Sequence, residues 1–213
     1  MDFLKTNEIA ALQKEGALII DTRPADVFCL GFLDGAVSVP FNEQFTERLS
    51  ELFETGSDFV FVTDESSHAA VFKVVKASGL GNAKGFITGN YDTWRDAGLA
   101  VDILISIEAD EFVADYRFDE FYLLDLRSRE DYESQHAEDS ENIALSDLEQ
   151  LLVDLDSNES YYLYGNTAED AITGGSLLKK AGFQRVRAIA EPFEAIKKPG
   201  VDWYVRKKKD GSK

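Results

Sequence analysis

Short runs of apolar residues alternate along this chain with segments in which apolar positions recur every three or four residues. The runs are rich in β-branched and aromatic side chains and are bounded by polar turns; they are LII (18–20), FVFV (59–62), LL (123–124) and YYLY (161–164). Runs of this kind predict strands that are buried on both faces. Between them, residues 68–79 have helical spacing, with Val71, Val74 and Val75 on one face. We therefore predict an α/β fold with mostly parallel central sheets and helices on both faces.

The same pattern occurs twice. LIIDTRPADVF (18–28) recurs as LLDLRSREDY (123–132), which places Asp125 at the position of Asp21 and Arg127 at that of Arg23, each at an offset of 104. Further on, a glycine followed by an apolar residue closes a helix-like segment in each copy, at 79–80 and 182–183, at an offset of 103. Two nearly equal offsets indicate an internal duplication. We predict one domain over residues 1–101, a second over 102–205 and a basic tail over 206–213.

Composition excludes several classes of protein. The chain has 213 residues, 44% of them hydrophobic, which is enough for real cores in two small domains. Its formal net charge of −18 repels phosphate backbones, so we expect no nucleic-acid binding. No apolar run approaches the roughly 20 residues of a membrane span, and the N-terminal sequence does not resemble a signal peptide. A single cysteine excludes an intrachain disulfide, so we expect a cytoplasmic protein that does not contact membranes.

Few side chains are candidates for chemistry. The Asp21-x-Arg23 and Asp125-x-Arg127 turns follow strands, where such residues satisfy turn amides and pair with a carboxylate such as Asp26 or Glu130; we interpret them as structural. Cys29 lies between apolar neighbours, as a core residue does. Acidic pairs such as 110–111 and 130–131 lack the spacing of a calcium loop. We expect no metal and no cofactor.

These spaced elements resemble, over nearly the whole chain, a tandem pair of rhodanese-like (sulfurtransferase-homology) domains. The first repeat has the Asp-x-Arg turn, then GFLDGA (31–36), where the family usually has Gly-His-Ile-x-Gly-Ala, and ITGNYDTWRDAG (87–98), similar to Gly-Gly-x-x-x-Trp-x-x-x-Gly. The second repeat has QHA (135–137) and Asn142-Ile143 at matching places. More narrowly, the chain resembles the rhodanese pair that follows a metallo-β-lactamase-fold domain in persulfide-dioxygenase-like bacterial proteins. The metal-binding HxHxDH pattern of that domain is absent, and His68 and His136 cannot replace it.

The resemblance implies a nucleophilic cysteine just after the central strand of each repeat, where backbone amides and a helix N-terminus favour a thiolate and hold an anion. Neither repeat has this cysteine. The first has, in its place, the loop Asp64, Glu65, Ser66, Ser67 and His68. A serine nucleophile with a histidine base could be considered there, but adjacent residues at a helix start rarely face each other, and capping explains them better. The second has Gly165 at the nucleophile position, followed by Asn166, Thr167, Ala168, Glu169 and Asp170, with Asp170 where the family often has arginine.

The sequence therefore predicts a catalytically inactive tandem rhodanese-homology module with a binding, docking or regulatory role in sulfur or persulfide metabolism. Two alternatives remain open at this stage. The chain could be the C-terminal portion of a metallo-β-lactamase-fold persulfide dioxygenase or sulfurtransferase-type protein, or it could transfer sulfur by an unrecognised route. The expected partner is a metallohydrolase domain or a second copy of the chain. Small anions should bind weakly or not at all.

The connection between the repeats also carries a prediction. It has no Pro/Ser-rich run and contains five apolar residues, which are Val101, Ile103, Leu104, Ile105 and Ile107. Such a segment is too apolar to be a free tether. We predict that these side chains lie in a groove between the domains and that the repeats form one rigid body.

Overall fold

A computed structural model describes residues 3–118 and 120–205, so the predicted basic tail at 206–213 lies outside the described residues. The first half of the chain contains, in order, α1 (Thr6–Lys14), β1 (Leu18–Asp21), α2 (Ala25–Cys29), β2 (Phe32–Leu33), β3 (Val37–Ser38), α3 (Phe45–Leu52), β4 (Ser57–Val62), α4 (His68–Ser78), β5 (Gly81–Ile87), α5 (Tyr91–Asp96) and β6 (Val101–Asp102).

The second half begins with an additional strand and then follows the same order of elements, with a 3-10 turn after its third helix. It contains β7 (Ile105–Ile107), α6 (Ala109–Tyr116), β8 (Tyr122–Asp125), α7 (Arg129–Ser134), β9 (Gln135–Ala137), β10 (Ser140–Asn142), α8 (Leu148–Leu151), a 3-10 turn (Leu152–Asp154), β11 (Tyr161–Tyr164), α9 (Ala168–Lys180), β12 (Val186–Ile189), α10 (Phe193–Ile196) and β13 (Trp203–Val205).

Each half is built on a parallel sheet. The strand orders are β3-β1-β4-β5 and β10-β8-β11-β12-β7. Asp21 is in register with Ser38 and Val62, and Asp125 is in register with Asn142 and Tyr164. Helices connect these strands, so the prediction of an α/β fold with mostly parallel sheets is confirmed. Two short antiparallel ribbons, β2 with β6 and β9 with β13, complete the repeat.

The apolar cores explain how the halves are joined. One core contains buried residues of the first half, such as Phe61 and Phe86, together with Leu104, Leu124 and Leu177 from the linker and the second half. A smaller core covers the other side of the second sheet, around Phe112 and Tyr164. Because one of the two cores contains residues of both halves, apolar packing joins the halves.

Helix α9 forms most of the junction, and its residues from Asp170 to Lys179 are all buried. It lies along the edge strand β3 of the first half. The Ser38 amide donates to Ser176 Oγ at 3.0 Å, and the Thr173 hydroxyl donates to the Ser38 carbonyl at 2.9 Å. These two bonds satisfy the outward-facing backbone groups of an edge strand, which would otherwise be buried without partners.

The linker does not lie wholly in the groove between the halves. Leu104 is buried there, and its amide donates to the Cys29 carbonyl at 3.4 Å. Ile107 is buried in the smaller core of the second half. Ile103 and Ile105 are 50% and 48% exposed, so the prediction that these two residues and Ile107 lie in the groove is wrong. The physical reason is that extended chain directs alternate side chains to opposite sides, and only one side faces the junction.

Candidate functional site

The two Asp-x-Arg turns have the same internal geometry. Asp21 accepts from the Arg23 amide at 3.1 Å, and Arg23 Nη2 is 2.6 Å from Asp21 Oδ2. In the second half the corresponding Asp125–Arg127 distances are 3.0 and 2.5 Å. The expected partners Asp26 and Glu130 are not used, because the aspartate two residues before each arginine already faces its guanidinium.

Each of these arginines also supports the neighbouring backbone. Arg23 Nη2 donates to the Gly31 carbonyl at 2.9 Å, and Arg127 Nη2 donates to the Gln135 carbonyl at 2.7 Å. The guanidinium of Arg23 lies over the Trp94 ring, and that of Arg127 lies over the Phe193 ring. All four charged residues of the turns are buried. This geometry favours a structural role, because each guanidinium is bonded both to its aspartate and to a backbone carbonyl of the fold.

The loop that follows β4 has no geometry for nucleophilic catalysis. Asp64, Glu65 and Ser66 are exposed. Ser67 occupies the N-cap position of α4 but makes no side-chain capping bond, so the prediction that these residues cap the helix is wrong. His68 Nδ1 lies 2.7 Å from the Glu65 carbonyl oxygen. Its ring packs near Phe3 and Phe86, with centroid distances of 5.1 and 5.8 Å. Among the described residues neither serine hydroxyl is hydrogen-bonded to His68, so the serine–histidine alternative has no geometric support.

The loop that follows β11 is held by its own side chains. Thr167 is the N-cap of α9, and the Asp170 amide donates to Thr167 Oγ1 at 3.2 Å. In return, the Thr167 amide donates to Asp170 Oδ2 at 3.0 Å, which completes a capping box. The Asn166 carbonyl accepts from the Phe193 amide at 3.3 Å. The resemblance implies that backbone amides of this loop point at a sulfur anion. Here the Thr167 amide is already bonded to the Asp170 carboxylate.

The position of the predicted nucleophile is also crowded. A Cβ added at Gly165 would lie 2.4 Å from the Asp170 Cβ, closer than unbonded carbons approach each other. Any residue other than glycine at 165 would therefore require a shift of the loop or of α9. The family often has arginine at the position of Asp170. Arginine also has a Cβ, so replacing Asp170 by arginine would leave this contact unchanged.

An arginine of the first half reaches this loop, and sequence reasoning did not identify it. Arg48 of α3 forms an ion pair with Asp170 Oδ1 across the junction. A second bond across the junction joins Asn42 Nδ2 to Glu169 Oε2 at 2.8 Å. Arg48 lies between two acidic residues of α3, Glu47 and Glu51, and this local pattern does not identify a partner more than 100 positions away.

A cleft of about 350 Å³ opens between the halves beside the second loop. Its polar lining includes Glu47, Arg48 and Glu51 from α3 and Ser128, Asn166 and Asp170 from the second half. The cleft is therefore lined by carboxylates and by two arginines, Arg48 and Arg127, each of which is already paired with an aspartate. Two larger clefts, of about 460 and 570 Å³, share Glu120 and Phe121 and lie at the amino ends of the second sheet, away from either loop.

Cys29 lies in neither loop. It ends α2 at the junction and is 7% exposed. Burial raises the pKa of its thiol to about 11, with a further increase from Asp26, against the lowering effect of a hydrogen bond with Ser106. A thiol of this kind is protonated near neutral pH and is a poor nucleophile. Within residues 3–118 and 120–205 no group of three or more His, Cys, Asp or Glu side chains could hold a metal ion, and no helix is long and apolar enough to cross a bilayer.

Comparison with known proteins gives one family match. Residues 5–97 and 108–199 each match the rhodanese-like domain. Among solved structures, the chain is similar to the rhodanese-like domain of an Anabaena sp. protein, with 23% identity, a TM-score of 0.44, and coverage of 47% of this chain and 79% of that one. It is also similar to a rhodanese-like domain protein from Staphylococcus aureus, with 16% identity, a TM-score of 0.43, and coverage of 49% and 100%.

A third similar structure extends over nearly the whole chain. It is a thiosulfate sulfurtransferase from Pseudomonas aeruginosa, with 17% identity and a TM-score of 0.40. The similarity covers 96% of this chain and 44% of that protein. No curated protein matches the chain.

Proposed function

We propose, from the premise that this chain belongs to the rhodanese-like domain family, that it is a non-catalytic tandem module which acts by binding another protein. The observation that carries the proposal is the absence of cysteine from both loops where the family has its nucleophile. Sulfur transfer in this family requires a thiolate that attacks a sulfane sulfur and holds it as a persulfide. Without a thiol in the loop, the covalent step has no acceptor atom.

Cys29 does not supply the missing group. It is buried at the end of α2, and the raised pKa of its thiol keeps it in the unreactive protonated form. Persulfide formation there would also place a charged sulfur in the apolar core, which contains Phe28 and Leu104. We therefore assign Cys29 to packing at the junction.

The loops themselves support the same assignment. Asp64 and Glu65 bring negative charge to the first loop. In the second, the Asp170 carboxylate accepts the Thr167 amide. Both features oppose the binding of an anionic sulfur donor. We propose that the degenerate loop residues 64–68 and 165–170 have no catalytic role and that the Asp-x-Arg turns are structural.

A sulfurtransferase assay tests this proposal. The purified chain is incubated with thiosulfate and cyanide, and separately with 3-mercaptopyruvate and a thiol acceptor. We expect no turnover above a buffer blank. The Cys29→Ser variant is the matched control, because it removes the chain's only thiol. Turnover that is present in the original chain and lost in Cys29→Ser would assign the chemistry to Cys29 and overturn the proposal.

The junction supports a binding role. The halves share a core, and hydrogen bonds and ion pairs join α9 to the first half. We propose that domains 1–101 and 102–205 form one rigid body that presents a composite acidic surface to a partner. Limited proteolysis tests the rigid body, since a flexible link would be cut between residues 98 and 106 and release two stable halves.

The identity of the partner stays a prediction. We propose that the chain acts in sulfur or persulfide metabolism and that its partner is a metallo-β-lactamase-fold hydrolase domain or a second copy of the chain. Co-purification from the native host tests both. An in-frame metal-binding domain encoded upstream of Met1 would instead favour the alternative that this chain is the C-terminal portion of a larger enzyme.

A further inference from the structure

The Asp170 carboxylate, in the first turn of α9, has partners from both halves of the chain. Its Oδ2 accepts from the Thr167 amide at the N-terminus of α9, and its Oδ1 accepts from Arg48 Nη2 of the other half. The residue is 7% exposed. Two donors from different halves of the chain therefore converge on one buried carboxylate.

These two donors are the kind that bind oxyanions. A backbone amide at a helix N-terminus and a guanidinium both favour negative oxygen, and together they define a site that is complementary to a carboxylate or to a tetrahedral oxyanion. We propose that Asp170 is an internal ligand, which fills an oxyanion site formed by the Thr167 amide and the Arg48 guanidinium and so holds that site closed. This inference rests on the proposed function, because a loop that is closed in this way is not a catalytic one.

The internal carboxylate competes well against ions from solution. It is tethered within the capping box of α9, so its effective concentration at the donors is high, on the order of millimolar or above. An external anion must also approach a chain of net charge −18 past Glu47 and Glu51 at the cleft. Removing the Asp170 carboxylate frees both donors and lowers the local negative charge. The site should then accept an anion from solution.

Sulfate binding to Asp170→Ala tests the proposal. The probe is sodium sulfate at constant ionic strength, and the readout is amide and arginine side-chain NMR. We expect shifts confined to residues 165–168 and the Arg48 guanidinium, with a Kd lower than that of the original chain by about tenfold or more, the size of one gained charge-assisted hydrogen bond.

Glu169→Ala is the matched control. It removes the same unit of charge from the adjacent position and also breaks a contact with the first half, the Asn42 bond at 2.8 Å. It leaves the Thr167 amide and Arg48 bonded to Asp170, so we expect sulfate to bind as poorly as it does to the original chain. In the double variant Arg48→Ala/Asp170→Ala the gained affinity should disappear.

Three results would overturn the proposal. They are equal sulfate affinity of the original chain and folded Asp170→Ala, an equal gain in Glu169→Ala, and retained affinity after removal of Arg48. If Asp170→Ala does not fold, Asp170→Asn keeps the side-chain volume and the acceptor for Thr167 while freeing Arg48 Nη2 from its carboxylate partner. We expect a smaller gain in sulfate affinity there, and no gain would equally overturn the proposal. Sulfate binding needs no thiol. A negative result in the sulfate experiment would therefore not affect the proposal that the chain does not transfer sulfur, and the two proposals can fail separately.

Discussion

Helices α4 and α9 occupy equivalent places in the duplicated fold but have opposite surroundings. In α9, ten consecutive residues from Asp170 to Lys179 are buried. In α4 only Val71 and Val75 are buried, and its outer face is exposed along Ala69, Ala70, Lys73, Lys76 and Ala77. The difference arises because the first half covers α9, whereas α4 faces solvent.

The short helices after the Asp-x-Arg turns differ in the opposite sense, because the one in the first half is covered and the one in the second half is exposed. Helix α2 buries Phe28 and Cys29, whereas α7 has no buried residue. The position that corresponds to Cys29 at the offset of 104 is Glu133, which pairs with Arg129 in solvent. The halves thus meet through α2 and β3 of one and α9 of the other, a head-to-tail contact in which each half uses a different surface. Duplication supplied two copies of each surface, and only one copy of each is covered.

The largest expected effect tests the Asp-x-Arg turn, which both halves have. Asp21→Ala and Asp125→Ala each leave a buried arginine without its counter-charge. We expect each variant to lower the free energy of unfolding by about 3–5 kcal/mol. Urea unfolding followed by circular dichroism measures both. The control Lys84→Ala breaks a solvent-exposed pair with Asp58 and should cost about 0.5 kcal/mol or less. A large loss in one turn with none in the other would show that the turns are not equivalent.

The next largest effect compares substitutions in α9, which is covered by the first half, with substitutions in α4, which is exposed. A Cβ at Gly175 of α9 would lie 2.9 Å from Leu104 Cδ2 in the junction. Gly175→Val should therefore overpack the junction and lower the free energy of unfolding by up to about 3 kcal/mol. Ala70→Val on the exposed face of α4 should cost about 0.5 kcal/mol, its difference in helix propensity. Equal costs for the two variants would contradict the asymmetry.

Part of this asymmetry could be predicted from the sequence. The β-branched runs and the matched offsets indicate two parallel-sheet repeats because buried strands must be apolar on both faces. The polar sequence REDYES of α7 against ADVFC of α2, and the small residues TGGS within α9, also distinguish covered from exposed helices. Close packing of a helix against a strand requires small side chains, so this signal has a physical basis.

The second loop could be predicted only in part. The loss of cysteine and the presence of Gly165 and Asp170 are visible in the sequence. That the Asp170 Cβ fills the space beside Gly165 is not, because it depends on how the first turn of α9 packs against the end of β11. The partner of Asp170 is also hidden, since Arg48 belongs to the other half and no periodicity relates the two. Ion pairs between distant segments follow from packing, which local patterns do not encode.

A third prediction concerns Cys29 and pH. The pKa of its thiol is about 11 in the folded chain, against an ordinary value of 9.0 when unfolded. Because the folded value is the higher one, its stabilising contribution is complete below about pH 9 and is lost as the pH rises towards 11. We expect a loss of about 2 kcal/mol by pH 11. Cys29→Ala should lack this part of the alkaline decline, while the tyrosines contribute equally to both proteins. Identical pH profiles would mean that the thiol is not buried at the junction.

The smallest expected effect isolates the ion pair that joins the second loop to the first half. Arg48 offers an internal comparison, because it contacts Asp170 across the junction and Glu51 within α3 at 3.3 Å. Asp170 is 10% exposed at its side chain and Glu51 is 43% exposed, so water screens the second pair more. Double-mutant cycles with alanine should give a coupling energy of about 1 kcal/mol for Arg48–Asp170 and about 0.3 kcal/mol for Arg48–Glu51. The first value should also fall less in 0.5 M salt than the second, because a partly buried pair is less accessible to counterions. Equal couplings, or a stronger Arg48–Glu51 pair, would show that Arg48 acts within its own helix and that the second loop is held to the first half by the packing and the other hydrogen bonds of α9.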